Sequence, residues 1–282
     1  MPEGDTVWLT AKRLHDALAG QVVTTFDLRV PQLATSDLTG DTVREVAARG
    51  KHILMRFAGG LTLHSHLRMD GSWHIVAAGR RPSAQPAHRI RALVGNERWQ
   101  AVGYRVHDLR LVRAADEGQL LDHLGPDLLG PDWDAAEAVR RLSAQPDRSV
   151  GEALLDQRNL AGIGNLYKCE ALFVERLDPW TPVAEVTDLP RLVTTTQRLM
   201  RANRDHPEQS TTGLRGRGRE HWVYQRAGAP CRRCRTVIRH ALQGLAPYQR
   251  DTFWCPTCQP GPTAVSGPPP PAAPPGRSAP RR

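Results

Sequence analysis

The sequence predicts an α+β, multidomain fold: a leading helix and a β-rich block of sandwich or barrel type, then a helical domain, then a C-terminal hairpin held by cysteines. Two switches of hydrophobic period carry that expectation, from helical to alternating near residue 20 and back to helical after Gly130-Pro131. The third observation is the spacing Cys231-x2-Cys234, twenty residues, Cys255-x2-Cys258. At 282 residues and 40% hydrophobic content, the chain can bury the cores of two modest domains.

Val7, Ala11, Leu14 and Leu18 recur at helical spacing, so residues 4–19 read as an amphipathic helix ended by Gly20. From Val22 to about Val112 the period is two. Ile53, Met55 and Phe57 alternate with His52, Leu54 and Arg56; Leu61, Leu63, Ser65 and Leu67 alternate with Thr62, His64 and His66. Ala58-Gly59-Gly60 and Gly95-Asn96 read as hairpin turns. His64 and His66 share one strand face, read as solvated because no further metal ligands converge in sequence. Helical faces then recur over 134–143, 149–157, 165–175 and 188–203. Residues 204–220, rich in glycine and arginine, read as a mobile connection, and 259–282, rich in proline, as disordered.

No stretch approaches 18 apolar residues, and the acidic Glu3 and Asp5 precede no apolar run. Neither a membrane span nor a signal peptide is expected, and the cytoplasm is the default compartment. Formal charge is +9, distributed as +4 over 1–120, −3 over 121–225 and +8 over 226–282. Six basic residues from Arg226 to Arg250 exceed what a solubility tail explains and point to a polyanionic partner, of which nucleic acid is the commonest. Lysine is rare here: Lys12, Lys51 and Lys168 stand against 35 arginines. A retained lysine marks a compact point charge or a titratable amine.

The paired cysteines each clip one side of a tetrahedral zinc through thiolates. Four ligands close the site, so the ion is structural, and it supplies most of the folding energy of a segment poor in apolar residues. Cys169, the fifth cysteine, reads as a buried apolar residue on a helix. At the other end, Met1-Pro2-Glu3 offers a secondary amine once Met1 is trimmed. Such an amine has a pKa of about 7.7 to 8.0, so part of it is neutral and nucleophilic near neutral pH. Attack on an aldehyde carbon gives an iminium whose charge eases elimination at the neighbouring carbon, with Glu3 placed to shuttle protons. Taken alone, Met-Pro is also a common chance start. Ala161-Gly162-Ile163-Gly164-Asn165 reads equally as a helix-joining turn or as a phosphate site at a helix N-terminus.

Met1-Pro2-Glu3-Gly4, Arg49-Gly50-Lys51-His52, Leu155-Asp156-Gln157 through Gly-Ile-Gly-Asn to Glu170, Val223-Tyr224-x-Arg226-x-Gly228-x-Pro230-Cys231 and Phe253-Trp254-Cys255-Pro256 occur in this order. Together they resemble the formamidopyrimidine-DNA glycosylase/endonuclease VIII family of DNA repair enzymes, from residue 1 to about 258, and the endonuclease VIII branch most. The resemblance implies an N-terminal helix plus β-sandwich (1–120), a helix–two-turn–helix DNA-binding domain (121–220), a zinc finger (221–258) and a Pro-rich tail (259–282). It implies a glycosylase with associated lyase activity, monomeric and nucleoid-associated, on damaged DNA. Pro2 would be the nucleophile at the sugar C1′, Glu3 the proton carrier, and Lys51 a phosphate contact near the lesion. Asn165 and Arg250 would hold flanking phosphates, Met69 would fill the hole left by the everted base, and Cys231, Cys234, Cys255 and Cys258 would hold zinc.

Three features bear on specificity, and one of them, Arg68-Met69, resembles the wedge of the oxidised-purine branch more than that of the pyrimidine branch. The stretch Arg105-Val106-His107-Asp108-Leu109-Arg110 lacks the Arg-Arg-Phe segment of the oxidised-purine branch, which favours oxidised pyrimidines. Asp5-Thr6 stands where members often carry a glutamate, so an auxiliary carboxylate is shifted or shortened. Competing readings are a non-catalytic zinc-finger DNA-binding protein, an enzyme using Pro2 as a base on small keto acids, and Schiff-base chemistry at Lys51 in place of Pro2.

Overall fold

A computed structural model describes residues 2–80 and 85–261. The leading helix, α1 (Gly4–Leu18), buries Val7, Ala11, Leu14 and Leu18, the stripe its sequence period marks. Eight strands follow: β1 (Thr25–Leu28), β2 (Val43–Arg49), β3 (His52–Phe57), β4 (Leu61–His66), β5 (Ser72–Ala77), β6 (Ile90–Gly95), β7 (Trp99–Tyr104) and β8 (Asp108–Arg113). They form two separate antiparallel sheets, ordered β1-β6-β7-β5 and β2-β3-β4-β8, which decides between sandwich and barrel in favour of the sandwich. Leu28, Ile53, Met55, Phe57, Leu63, Val94 and Ala101 meet α1 in one apolar core. Each fully buried side chain of this kind contributes about 1.5–3 kcal/mol.

The outer face of the second sheet departs from expectation. His64 is buried, its Nε2 lies 2.7 Å from His52 Nδ1, and the rings of His66 and His123 pack around His52. The cover is the segment after β8, including α2 (Gly118–Leu121), where Glu117 accepts from Arg56 and from Thr62. The face is therefore covered at Thr62 and His64, while His66 stays half-buried at its edge and lines the cleft that contains Pro2. Burial, with mutual repulsion, pushes His52 down to about 3, and burial with the nearby Arg68 pushes His66 down to about 4, so both rings are neutral at physiological pH.

Helices α3 (Ala135–Ser143), α4 (Val150–Leu155), α5 (Asn165–Val174) and α6 (Leu189–Asn203) enclose a second core around Leu142, Leu154, Tyr167, Leu172 and Met200. Asp134 and Asp188 cap α3 and α6 by accepting backbone N–H groups, at Ala136 and Glu137 and at Arg191. The connection after α6 is anchored where the sequence suggests mobility: Asn203 and Ser210 exchange hydrogen bonds, and the buried Thr211 donates to Glu170. A third, small core joins Cys169 and Phe173 of α5 to Val223, Ile238 and Cys255. It seats the last hairpin, β9 (Arg239–Gln243) and β10 (Arg250–Trp254), on the helical body. Order continues past Cys258, because Gln259 is fully buried and bonds Cys255 and Leu177. The remainder of the tail assigned to disorder, 262–282, lies outside the described residues. No described helix is long and apolar enough to cross a membrane.

Candidate active site

Pro2 lies half-buried immediately ahead of α1, at a cleft of about 610 Å³ between the sandwich, the helical body and the last hairpin. Three backbone segments converge beside it. The Gly4 N–H donates to Gly162 O at 2.9 Å, and the Gly50 N–H donates to Asp127 Oδ2 at 2.7 Å. A Cβ at Gly4 would stand 3.0 Å from Gly162 Cα, and one at Gly50 3.2 Å from Ala161 Cβ. Gly50 and Gly162 also adopt φ of +57° and +96°. The first turn of the chain, the turn before Lys51 and the Gly-Ile-Gly-Asn loop therefore meet backbone to backbone.

That meeting places Glu3 at the N-terminus of α5. The side chain is 1% exposed and accepts N–H groups from Gly164 at 2.9 Å, Leu166 at 2.8 Å and Tyr167 at 3.4 Å. A Cβ on Gly164 would land on the Glu3 carboxyl, which accounts for a glycine there. Desolvation favours the neutral acid, whereas Lys51 and the donated N–H groups favour the anion. Burial wins, and Glu3 is pushed up to about 7. A carboxyl group poised near neutrality serves as both acid and base.

Lys51 donates from Nζ to Ile163 O, one residue before the glycine that Glu3 touches. Burial and the Arg250 charge lower its pKa while Glu3 raises it, with burial the largest effect. Asn165 opens α5, lines the cleft and donates from Nδ2 to Asp251 O at 2.6 Å, tying the helix to β10. Its amide thus also fastens the hairpin. Arg250, the first residue of β10, is exposed at the same cleft. Met69 is 63% exposed and lines the cleft from the sandwich. Its loop is braced on both sides, by Arg68–Asp108 at 2.6 Å and Arg105–Asp70 at 2.9 Å. The stretch that lacks the Arg-Arg-Phe segment supports Met69 from behind.

Cys231, Cys234, Cys255 and Cys258 flank β9 and β10, and their sulfurs all lie within 4.8 Å of one another. The Cys231–Cys258 and Cys234–Cys255 separations are 3.9 and 3.4 Å, around the roughly 3.8 Å that tetrahedral thiolates about 2.3 Å from an ion require. The four residues can hold a metal ion. Cys169 is buried on α5 against them and outside the group.

The residues 1–114 match the family model for the formamidopyrimidine-DNA glycosylase N-terminal domain, and 124–212 match the model for its H2TH domain. The chain is 56% identical to a probable endonuclease 8 2 of Streptomyces coelicolor, over 95% of this chain and 97% of that one. The chain belongs to the formamidopyrimidine-DNA glycosylase family. A further relative, DNA-(apurinic or apyrimidinic site) lyase Nei2 of Mycolicibacterium smegmatis, is 45% identical over 92% of this chain and 99% of its own. Relatives named endonuclease 8 agree with the branch that the motifs resemble. The structure of Lactococcus lactis Fpg with DNA containing an abasic site aligns with a TM-score of 0.76, at 22% identity, over 91% of this chain and 99% of that one. At that identity the likeness is one of fold.

Several residues that shape this family member's site were not legible individually. Asp5 is buried beneath Glu3, accepting from Tyr167 Oη at 2.6 Å and from Gln209 Nε2 at 2.8 Å. Asp5 thus places a buried carboxylate one position before Thr6, and burial raises its pKa. Asp127 holds the Gly50 turn, and Gln157 holds both Gly162 N and Ile163 O. These partners of Asp5 and Asp127 lie 77 or more residues away and leave no trace in local spacing, whereas Gln157 reaches only five and six residues along the chain. Leu245 and Tyr248, between β9 and β10, also line the cleft.

Proposed function

We propose that this chain is a bifunctional DNA glycosylase and abasic-site lyase of base excision repair, acting as a monomer on oxidised bases in DNA, pyrimidines favoured. The single observation that carries the reading is Glu3. It is one residue from Pro2, whose nitrogen becomes a free amine once Met1 is removed, and it is held by three helix-terminal N–H groups and poised near pH 7 at the floor of a basic cleft. The names of the relatives, endonuclease 8 and abasic-site lyase, support the same assignment.

With Met1 removed, the Pro2 nitrogen lone pair attacks C1′. The damaged base departs with the glycosidic electron pair and a proton. Glu3 protonates O4′ as the C1′–O4′ bond breaks, and the nitrogen becomes an iminium. Loss of a C2′ proton then expels the 3′ phosphate, a second elimination expels the 5′ phosphate, and water hydrolyses the iminium to free Pro2. Lys51 supports the phosphate beside the lesion, and Asn165 and Arg250 hold flanking phosphates, Arg250 by charge-assisted hydrogen bonds. Met69 is apolar, flexible and exposed on a braced loop, as an intercalating wedge needs to be. Zinc bound by Cys231, Cys234, Cys255 and Cys258 fixes the hairpin that presents Arg250. The setting is cytoplasmic, at the nucleoid.

Borohydride trapping on duplex DNA with an abasic site, followed by mass spectrometry of the adduct, tests the mechanism. An adduct on Pro2 is the expected result. An adduct on Lys51 moves the Schiff base to that side chain, and no adduct despite binding and Met1 removal makes the protein a non-catalytic DNA binder. Pro2→Gly should abolish base removal and leave DNA affinity nearly unchanged.

A further inference from the structure

Leu245 and Tyr248 are among the most exposed large apolar side chains described, at 84% and 78%, and neither is used by the chemistry above. They occupy one turn between β9 and β10, closed by the Tyr248 N–H donating to Leu245 O at 2.9 Å. Both line the cleft that contains Pro2, and Tyr248 is two residues from Arg250. The same cleft carries the cations Lys51, Arg68 and Arg148. Apolar and aromatic surface kept in water beside clustered cations fits a ligand that is anionic along one edge and flat and apolar on its faces. A nucleotide has that chemistry, and aromatic side chains bind nucleobases by stacking.

The two walls divide the work. Met69 stands on the wall formed by the sandwich, and its role in the proposed reaction is to enter the duplex where the damaged base was. The base itself remains joined to the C1′ that Pro2 attacks, so it must rest elsewhere in the cleft. The tip of the β9–β10 hairpin lines the same cleft from outside the sandwich. We propose that Tyr248, backed by Leu245, is a stacking platform for the everted nucleobase and thereby a specificity-determining element of base removal. The inference rests on the glycosylase reading and deepens it. It concerns the state in which the base is still attached, and it predicts no role once the base is gone.

The experiment compares two duplexes identical but for one nucleotide, 5-hydroxyuracil in one and an abasic site in the other. Tyr248→Ala, Leu245→Ala and Tyr248→Phe are tested under single-turnover conditions in the zinc-loaded full chain. Loss of an aromatic stack should slow release of 5-hydroxyuracil by about tenfold to a hundredfold in Tyr248→Ala. Leu245→Ala should slow it less, and Tyr248→Phe should restore it to within about threefold. Cleavage of the abasic duplex and its trapped adduct should change by less than about twofold in all three variants. Equal losses on both duplexes would show a general strand contact and overturn the platform, as would unchanged release of 5-hydroxyuracil. A wild-type chain that traps the abasic duplex but releases no 5-hydroxyuracil overturns this inference and leaves the lyase reading standing. Absence of any wild-type adduct removes the reading itself and the platform with it.

Discussion

The carboxylate of Glu3 accepts the backbone N–H of Leu166 at 2.8 Å, so the third residue of the chain caps a helix of the second core. Positioning and proton chemistry are thereby joined in one side chain. Burial holds Glu3 at about 7, against 4.5 in an unfolded chain. The folded state therefore binds the proton more tightly. Its contribution to stability is fully present below about pH 4.5 and is lost as pH rises through 7. The shift corresponds to roughly 3 kcal/mol. Glu3→Gln should remove that loss: denaturant unfolding at pH 5 and pH 8 should show a smaller decline for the variant than for the wild type. Equal declines would mean that Glu3 is ionised throughout. Base removal by the variant should fall by about 10²- to 10⁴-fold.

Gly164→Ala tests the same contact from the helix side. The added Cβ would occupy the place of the Glu3 carboxyl, so the acid must move. Misplacement of a reacting group by about 1 Å can cost roughly a hundredfold in rate. Base removal should fall by that order while affinity for abasic-site duplex stays within about threefold. A parallel fall in affinity would place the damage in the DNA-binding surface rather than in Glu3.

What the sequence shows and withholds follows from how far apart the interacting residues lie. The period of α1 is local, as is the spacing of the cysteine pairs, and both appear in the structure as read; β3 and β4 form as strands, but Leu54, Thr62 and His64 on their second face are buried as well. Pro2, Glu3, Lys51, Met69 and Arg250 could be singled out because they sit in family motifs, and the fold brings all five to one cleft or its floor. The pairing of Asp5 with Tyr167 and Gln209 spans more than 160 residues and has no periodic signature. His64 misled for a similar reason. A polar residue on an alternating strand reads as solvent-facing, and the segment around Glu117 and His123 that covers it is visible only in three dimensions.

The brace around Met69 should matter to activity far more than to stability. Arg68 is 68% exposed in its pair with Asp108, and exposed ion pairs contribute about 0–1 kcal/mol. Asp108→Asn should therefore leave the unfolding free energy within about 1 kcal/mol of wild type. Freed on one side, the loop presents Met69 less often, and excision from duplex should slow by about tenfold, with single-stranded substrate less affected because no stack has to be filled. A stability loss well above 1 kcal/mol would mean that Asp108 belongs to the sandwich core and not to the wedge.

Metal removal separates the two kinds of cysteine in the chain. Cys169 packs with Phe173, Val223 and Ile238 as an apolar residue, whereas the other four bring their sulfurs within 4.8 Å of one another. Elemental analysis should find about one zinc per chain in the wild type and in Cys169→Ala, and little in Cys234→Ser. The hairpin carries few apolar residues of its own, so without the ion Arg250 should lose its fixed position. DNA affinity should then fall for damaged and undamaged duplex alike, since a phosphate contact carries no information about the lesion. The dependence of affinity on salt should also weaken by about one phosphate contact in Arg250→Ala. If Cys234→Ser kept both its zinc and its affinity, the four cysteines would not form the site. If it lost zinc and kept affinity, the hairpin would hold its place through the Asn165–Asp251 and Lys168–Thr252 bonds to α5 alone.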